Sequence, residues 1–132
     1  MIGLVLALGV ALAGGPGAPQ VPAGVGVGVG AEAGKAYFDD IKGGNCKTCH
    51  YTNGRRLVGP GMQDVTGRHS DEWLRSWLKD PQATWQSEHP ETAELKQRTR
   101  KTRVRATSCM KQPMSDEQMQ NLIDFLATLK DE

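Results

Sequence analysis

Apolar residues recur at helical spacing in four stretches of this 132-residue chain, Gly34 to Ile41, Asp71 to Lys79, Glu91 to Arg100 and Ser115 to Leu129. In the first, Gly34 and Phe38 share one face, and Gly43-Gly44 ends the pattern. In the second, Ser70 is placed to cap, Asp71 and Glu72 occupy the first turn where the helix dipole favours acids, and Pro81 marks the stop. Trp73 and Trp77 fall on one face of it and are predicted to be core. The third is thin in apolar content, chiefly Ala93 and Leu95. The fourth is the most regular: Ser115 and Gln118 form a capping box, Met114 and Met119 are spaced as a hydrophobic staple, and Leu122, Ile123, Phe125, Leu126 and Leu129 continue the stripe. Alternation occurs once, from Val25 to Gly30, where glycine at every second place leaves one strand face with nothing to pack. The pattern predicts an all-α domain.

Ahead of these stretches, Ile2 to Ala13 is continuously apolar, with Ala11-Leu12-Ala13 as a small-residue cleavage site. Residues 1–13 are therefore expected to be a signal peptide, or an uncleaved N-terminal anchor, although no Lys or Arg precedes Lys35. The stretch is short for a comfortable membrane span. Residues 14–33 are Gly, Pro, Ala and Val with almost no charge and are predicted to be a flexible linker with a reach on the order of 25 Å. That leaves residues 34–132 as one domain whose own core is modest. A formal net charge of +1 makes no case for nucleic acid as a partner.

The chemistry is concentrated in Cys46-Lys47-Thr48-Cys49-His50. Two thiols at C-x-x-C spacing can reach two vinyl groups on one edge of a haem, and a histidine directly after the second can lie beneath the iron. A thiol redox pair or half a zinc site would use the cysteines alone. The first wants a strand leading into the pair, where Gly43-Gly44-Asn45 stands instead; the second wants two more ligands, and Cys109 is the one other cysteine. Covalent attachment of one haem c is the expectation, with a poorly folded apoprotein as its corollary.

With these features in hand, residues 34–132 resemble the class I c-type cytochromes: a first helix with a glycine and an aromatic residue, C-x-x-C-H, a Gly-Pro segment matching Gly59-Pro60, and a capped C-terminal helix. The resemblance implies three to five helices wrapped around the haem, with Gly34 letting the last helix approach and Leu122 and Phe125 facing the first. It implies His50 as proximal iron ligand, its N–H held by the Pro60 carbonyl, and a methionine shortly before the last helix as distal ligand. Met110 and Met114 both stand there. Capping already accounts for Met114, which favours Met110. Met62 is expected to pack; His69 and His89 are alternative ligands for a bis-histidine haem, but each lies in a polar loop and is expected to be exposed.

Such a protein carries single electrons between exported or membrane-bound redox partners and is not an enzyme. It would be periplasmic or in an equivalent extracytoplasmic compartment, and tethered to the membrane through residues 1–13 if these remain. The alternative is a haem subunit of a catalytic or sensory complex, such as one oxidising sulfur compounds, with Cys109 as iron ligand or redox thiol; an odd cysteine also permits a Cys109-linked dimer beside the monomer. The indole N–H groups of Trp73 and Trp77 are candidates for a haem propionate. Lys96, Arg98, Arg100, Lys101, Arg103 and Arg105 follow one another without an acid. This run from Lys96 to Arg105 is predicted either to be a solvated face that neutralises propionates or to dock an acidic redox partner.

Overall fold

The computed structural model describes residues 27–101, 110 and 113–130. The leader, most of the linker, Cys109, Arg103 and Arg105 lie outside the described residues. Six α-helices stand among those described: α1 (Val27–Asp39), α2 (Val65–Arg68), α3 (Asp71–Lys79), α4 (Pro81–Gln86), α5 (Pro90–Thr99) and α6 (Asp116–Leu126), with one 3-10 turn at Cys46–Thr48.

The frame of the molecule is the pair of terminal helices, α1 and α6, packed on one another. Gly34 makes this contact close: a Cβ built there would lie 1.9 Å from the backbone oxygen of Asn121. Phe38, 2 % exposed, meets Phe125 edge to face with ring centroids 5.5 Å apart, and Leu122 is 1 % exposed beside them. The helix α1 begins seven residues before Gly34, so residues 27–33 are helical and not linker. Composition misleads here because Gly30 and Gly34, four apart and thus on one face, both lie against α6; a Cβ on Gly30 would meet the Asp124 carboxylate at 2.5 Å. Each glycine costs the isolated helix about 1 kcal/mol relative to alanine, which the close approach of α6 offsets.

Capping follows the sequence closely at α3 and α6. Ser70 Oγ accepts from the Trp73 N–H at 3.3 Å, and in the capping box Ser115 Oγ accepts from Gln118 N–H at 3.1 Å while Gln118 Oε1 accepts from Ser115 N–H at 2.9 Å. Met119, Leu122, Ile123, Phe125 and Leu126 are the buried stripe, with Met114 packed against the core. Leu129 lies beyond the end of α6, half-buried on the core, and its carbonyl accepts the Asp64 N–H.

Pro81 does not simply stop α3. It is the first residue of α4, capped by Asp80, whose carboxylate accepts from the Ala83 N–H at 2.9 Å. The missing N–H of proline costs nothing at that position, so Asp-Pro starts one helix while ending another. In α5 the buried face is Thr92, Leu95 and Thr99, and Ala93 is exposed. Buried threonine is tolerated because its hydroxyl is satisfied: Thr92 Oγ1 donates to Thr84 O at 3.1 Å and accepts the Trp73 indole N–H at 2.9 Å.

Candidate metal centre

Cys46 to His50 is folded on itself by two bonds to one carbonyl: the N–H groups of Cys49 and His50 both reach Cys46 O at 3.0 Å. Asn45 precedes the turn in the left-handed conformation, φ 56°, and its side chain accepts from Thr48 Oγ1 at 2.7 Å. The following loop doubles back alongside, with Gly59 N–H on Cys49 O at 2.8 Å and Met62 N–H on Tyr51 O at 2.9 Å. Arg68 fastens its far end by donating to Gly61 O at 3.0 Å and to Gln63 O.

This loop holds the imidazole of His50. Nδ1 lies 2.7 Å from Pro60 O. A carbonyl only accepts, so Nδ1 carries the hydrogen and the neutral ring keeps its lone pair on Nε2, the form a metal binds. Burial pushes the His50 pKa down, with Lys101 acting in the same direction and the Pro60 bond opposing, so the ring is neutral at pH 7. Gly59 is required sterically: a Cβ there would stand 2.3 Å from His50 Cε1. The Gly-Pro pair thus supplies room for the ring and a carbonyl to orient it.

His50 lines a cavity shared with Cys46, Cys49, Pro60, Trp73, Trp77 and Met110, and walled by apolar side chains of α1, α3 and α6 such as Phe38, Leu74 and Leu122. Met62 also lines it and packs on the core; Met114 packs on the core without lining it. Cys46 is a buried free thiol whose pKa burial pushes up to about 11. Cys49 lines the same cavity three residues further on, at the spacing that two thioethers to one haem edge require. Arg98 and Lys101 add positive charge to the lining. Apolar walls, two cysteines and a metal-ready imidazole at motif spacing, and cations suited to carboxylates together fit an iron porphyrin with propionate groups.

Two expectations are corrected. His69 is not an exposed loop residue: it is 4 % exposed and lines the cavity. Its ring stacks on Trp73 with centroids 4.2 Å apart, Nδ1 is 3.0 Å from Glu91 Oε2, and Nε2 is 3.0 Å from an Arg98 nitrogen. A polar flank hid it; the partners that bury it stand 22 and 29 residues away. His89 is exposed as expected, and its ring caps α5 by accepting from Glu91 N–H at 3.2 Å. The second correction concerns Trp73, whose indole N–H donates to Thr92 rather than towards a carboxylate. Its packing role holds: Trp73 stacks on Trp77 at 5.4 Å, and Trp77 meets the buried Trp85 edge-on at 6.3 Å. Of the basic run, Lys96 lies over the Trp85 ring at 5.0 Å and Arg98 is bonded to His69, so two of its members have inward work.

A family model described as cytochrome c matches residues 31–130. Among solved structures, a cytochrome c from Rhodothermus marinus is similar at 25 % identity and a TM-score of 0.61, covering 87 % of this chain and 89 % of that one. An engineered form of that cytochrome, bound to a carbene intermediate, is similar at 25 % identity and a TM-score of 0.59 over the same shares. No curated protein sequence matches this chain. The family binds one haem c covalently and generally serves electron transfer, and the residues gathered around Cys46, Cys49 and His50 fit that cofactor. On its matched length and its site, this chain belongs to the cytochrome c family.

Proposed function

We propose that the protein is a one-electron carrier in which His50 and Met110 are the two axial iron ligands. The observation that carries this reading is the His50 Nδ1 to Pro60 bond of 2.7 Å, which leaves Nε2 free of hydrogen on a ring that lines the same cavity as Met110. The haem supplies the exchange of one electron at its iron; the chain supplies burial, ligands and the hydrogen bonds that set the potential. Held by both His50 and Met110, the iron would have no position open to substrate, as a carrier requires. The carrier works outside the cytoplasm, either free after leader cleavage or tethered through residues 1–13. Among the described residues no helix is long and apolar enough to cross a membrane.

The ligand assignment is tested by the weak far-red band of ferric iron bound to a methionine sulfur. Met110→Ala abolishes that band and lowers the potential, because a thioether favours ferrous iron. Met114→Leu retains it, since leucine still packs at the start of α6. Loss of the band in Met114→Leu with retention in Met110→Ala would move the ligand to Met114.

The basic run Lys96 to Arg105, of which Arg100 at the end of α5 is exposed, docks an acidic redox partner through the charges not turned to the cavity. Its charges act on encounter rate, so association slows as ionic strength rises and slows further in Arg100→Glu with Arg103→Glu, at an unchanged potential. Partner rates indifferent to both salt and charge reversal would reduce the face to a solvated surface.

A further inference from the structure

The buried histidine on the cavity wall, His69, is not one of the two ligands proposed above for the iron, and polar partners surround it closely. Its side chain is 3 % exposed, whereas that of Glu91 is 21 % exposed. Glu91 is itself fixed, accepting from Ser70 N–H at 3.0 Å and Ser70 Oγ at 2.7 Å as well as facing His69. Burial pushes the Glu91 carboxyl up, but these bonds outweigh it and hold the group ionised below the usual carboxylate range. A carboxylate only accepts, so Nδ1 of His69 carries a hydrogen; a guanidinium only donates, so Nε2 facing Arg98 is bare. His69 is thereby held neutral with one vacant proton position, blocked by a cation.

That block is removable. Arg98 is an exposed residue and can turn its guanidinium to water at little cost, after which Nε2 is open to a proton. The resulting imidazolium would keep the Glu91 carboxylate on Nδ1 and the Trp73 face at 4.2 Å, both of which favour a cation. The charged groups acting on His69 are Arg68 of α2 and Glu91 and Arg98 of α5, while α3 presents the uncharged Trp73. Burial, helped by Arg98 and Arg68, outweighs the Glu91 carboxylate and lowers the His69 pKa from its ordinary value. Removing one positive charge from the same cavity acts across a low-dielectric interior and shifts this balance towards the imidazolium.

We propose that His69 is a redox-linked proton site: as the cofactor gains an electron from a donor, His69 takes up one proton from water at Nε2 and Arg98 swings off, and oxidation reverses both. Charge and atoms balance, one electron to the iron and one proton to the imidazole. The potential is consequently pH-dependent on the acidic side of neutrality. This rests on the protein being an electron carrier.

The test is the reduction potential of the holoprotein between about pH 5 and about pH 8, the range in which histidine titrates. In the native protein the potential falls as pH rises between the two His69 pKa values. There the redox equilibrium changes by up to tenfold per pH unit, about 59 mV for one electron. His69→Gln keeps a donor for Glu91 and an acceptor for Arg98 but cannot titrate, so its potential is flat; His89→Gln keeps the native slope. Glu91→Gln moves the slope to lower pH by withdrawing the carboxylate. A flat native profile, or an unchanged slope in His69→Gln, overturns the proposal. Should His69→Gln fail to fold, the imidazole NMR titration of the native protein decides: a higher His69 pKa in the reduced form supports the proposal, and equal values overturn it. A reversible but pH-independent one-electron wave leaves carriage standing without the proton; no reversible wave removes both.

Discussion

Gly34→Ala is expected to destabilise the holoprotein by about 3 kcal/mol, at the upper end of what overpacking costs. The added methyl carbon would stand 1.9 Å from Asn121 O and 2.5 Å from its carbonyl carbon, both backbone atoms inside α6. No rotamer change relieves that contact. α1 and α6 must separate, and the Phe38–Phe125 pair loosens with them. For a domain of this size the loss corresponds to a fall in Tm of roughly 15 °C. Gly30→Ala is the informative contrast, because its methyl meets first the Asp124 carboxylate, the far end of a side chain that can turn away. The gain in helix propensity, about 1 kcal/mol, then compensates for much of the crowding. Thermal unfolding followed by circular dichroism separates the two. Equal stabilities would mean that the helix crossing is looser than the structure gives it.

Gly59→Ala is expected to spoil the iron site while leaving the terminal helices in place. Its methyl would lie 2.3 Å from His50 Cε1 and 2.8 Å from Nδ1, so the ring must turn and give up its bond to Pro60. Losing a partner that fixes the tautomer and raises the basicity of a metal-bound histidine weakens binding on the order of 10–100-fold. Displacement of the proximal imidazole by an external ligand, followed by absorbance, should therefore occur at correspondingly lower concentrations. Pro60→Ala retains the backbone carbonyl and should show a much smaller change. If Gly59→Ala resists displacement as well as the native protein does, His50 is not held in the way its geometry implies.

The capped helices and the C-x-x-C-H motif were legible in the sequence because each rests on neighbours within four residues along the chain. Ser70 and Ser115 meet their partners three residues on, and Cys46 to His50 closes on a single carbonyl. Local hydrogen bonds and helical periodicity are properties of a short window, and so is the haem-binding spacing. The resemblance to cytochromes c then carried the fold, since its motif and final helix lie in known order.

Other features depended on residues far apart in sequence, and only the tertiary structure decided them. Gly30, within the stretch read as linker, looks like linker until α6 is brought against it, when the absence of a side chain becomes the means of contact. Thr92 looks like a surface residue until Trp73 and Thr84 satisfy its hydroxyl in the interior. His69, flanked by Arg68 and Ser70, reads as exposed, yet Glu91 and Arg98 from α5 cover it and satisfy both ring nitrogens. In each case a polar or small residue is buried because a distant partner supplies the hydrogen bond or the surface that water would otherwise provide. A linear pattern records the residue but not that partner, so the sequence determined the helices and the haem motif, and the packed fold determined which polar groups are buried and which line the cavity.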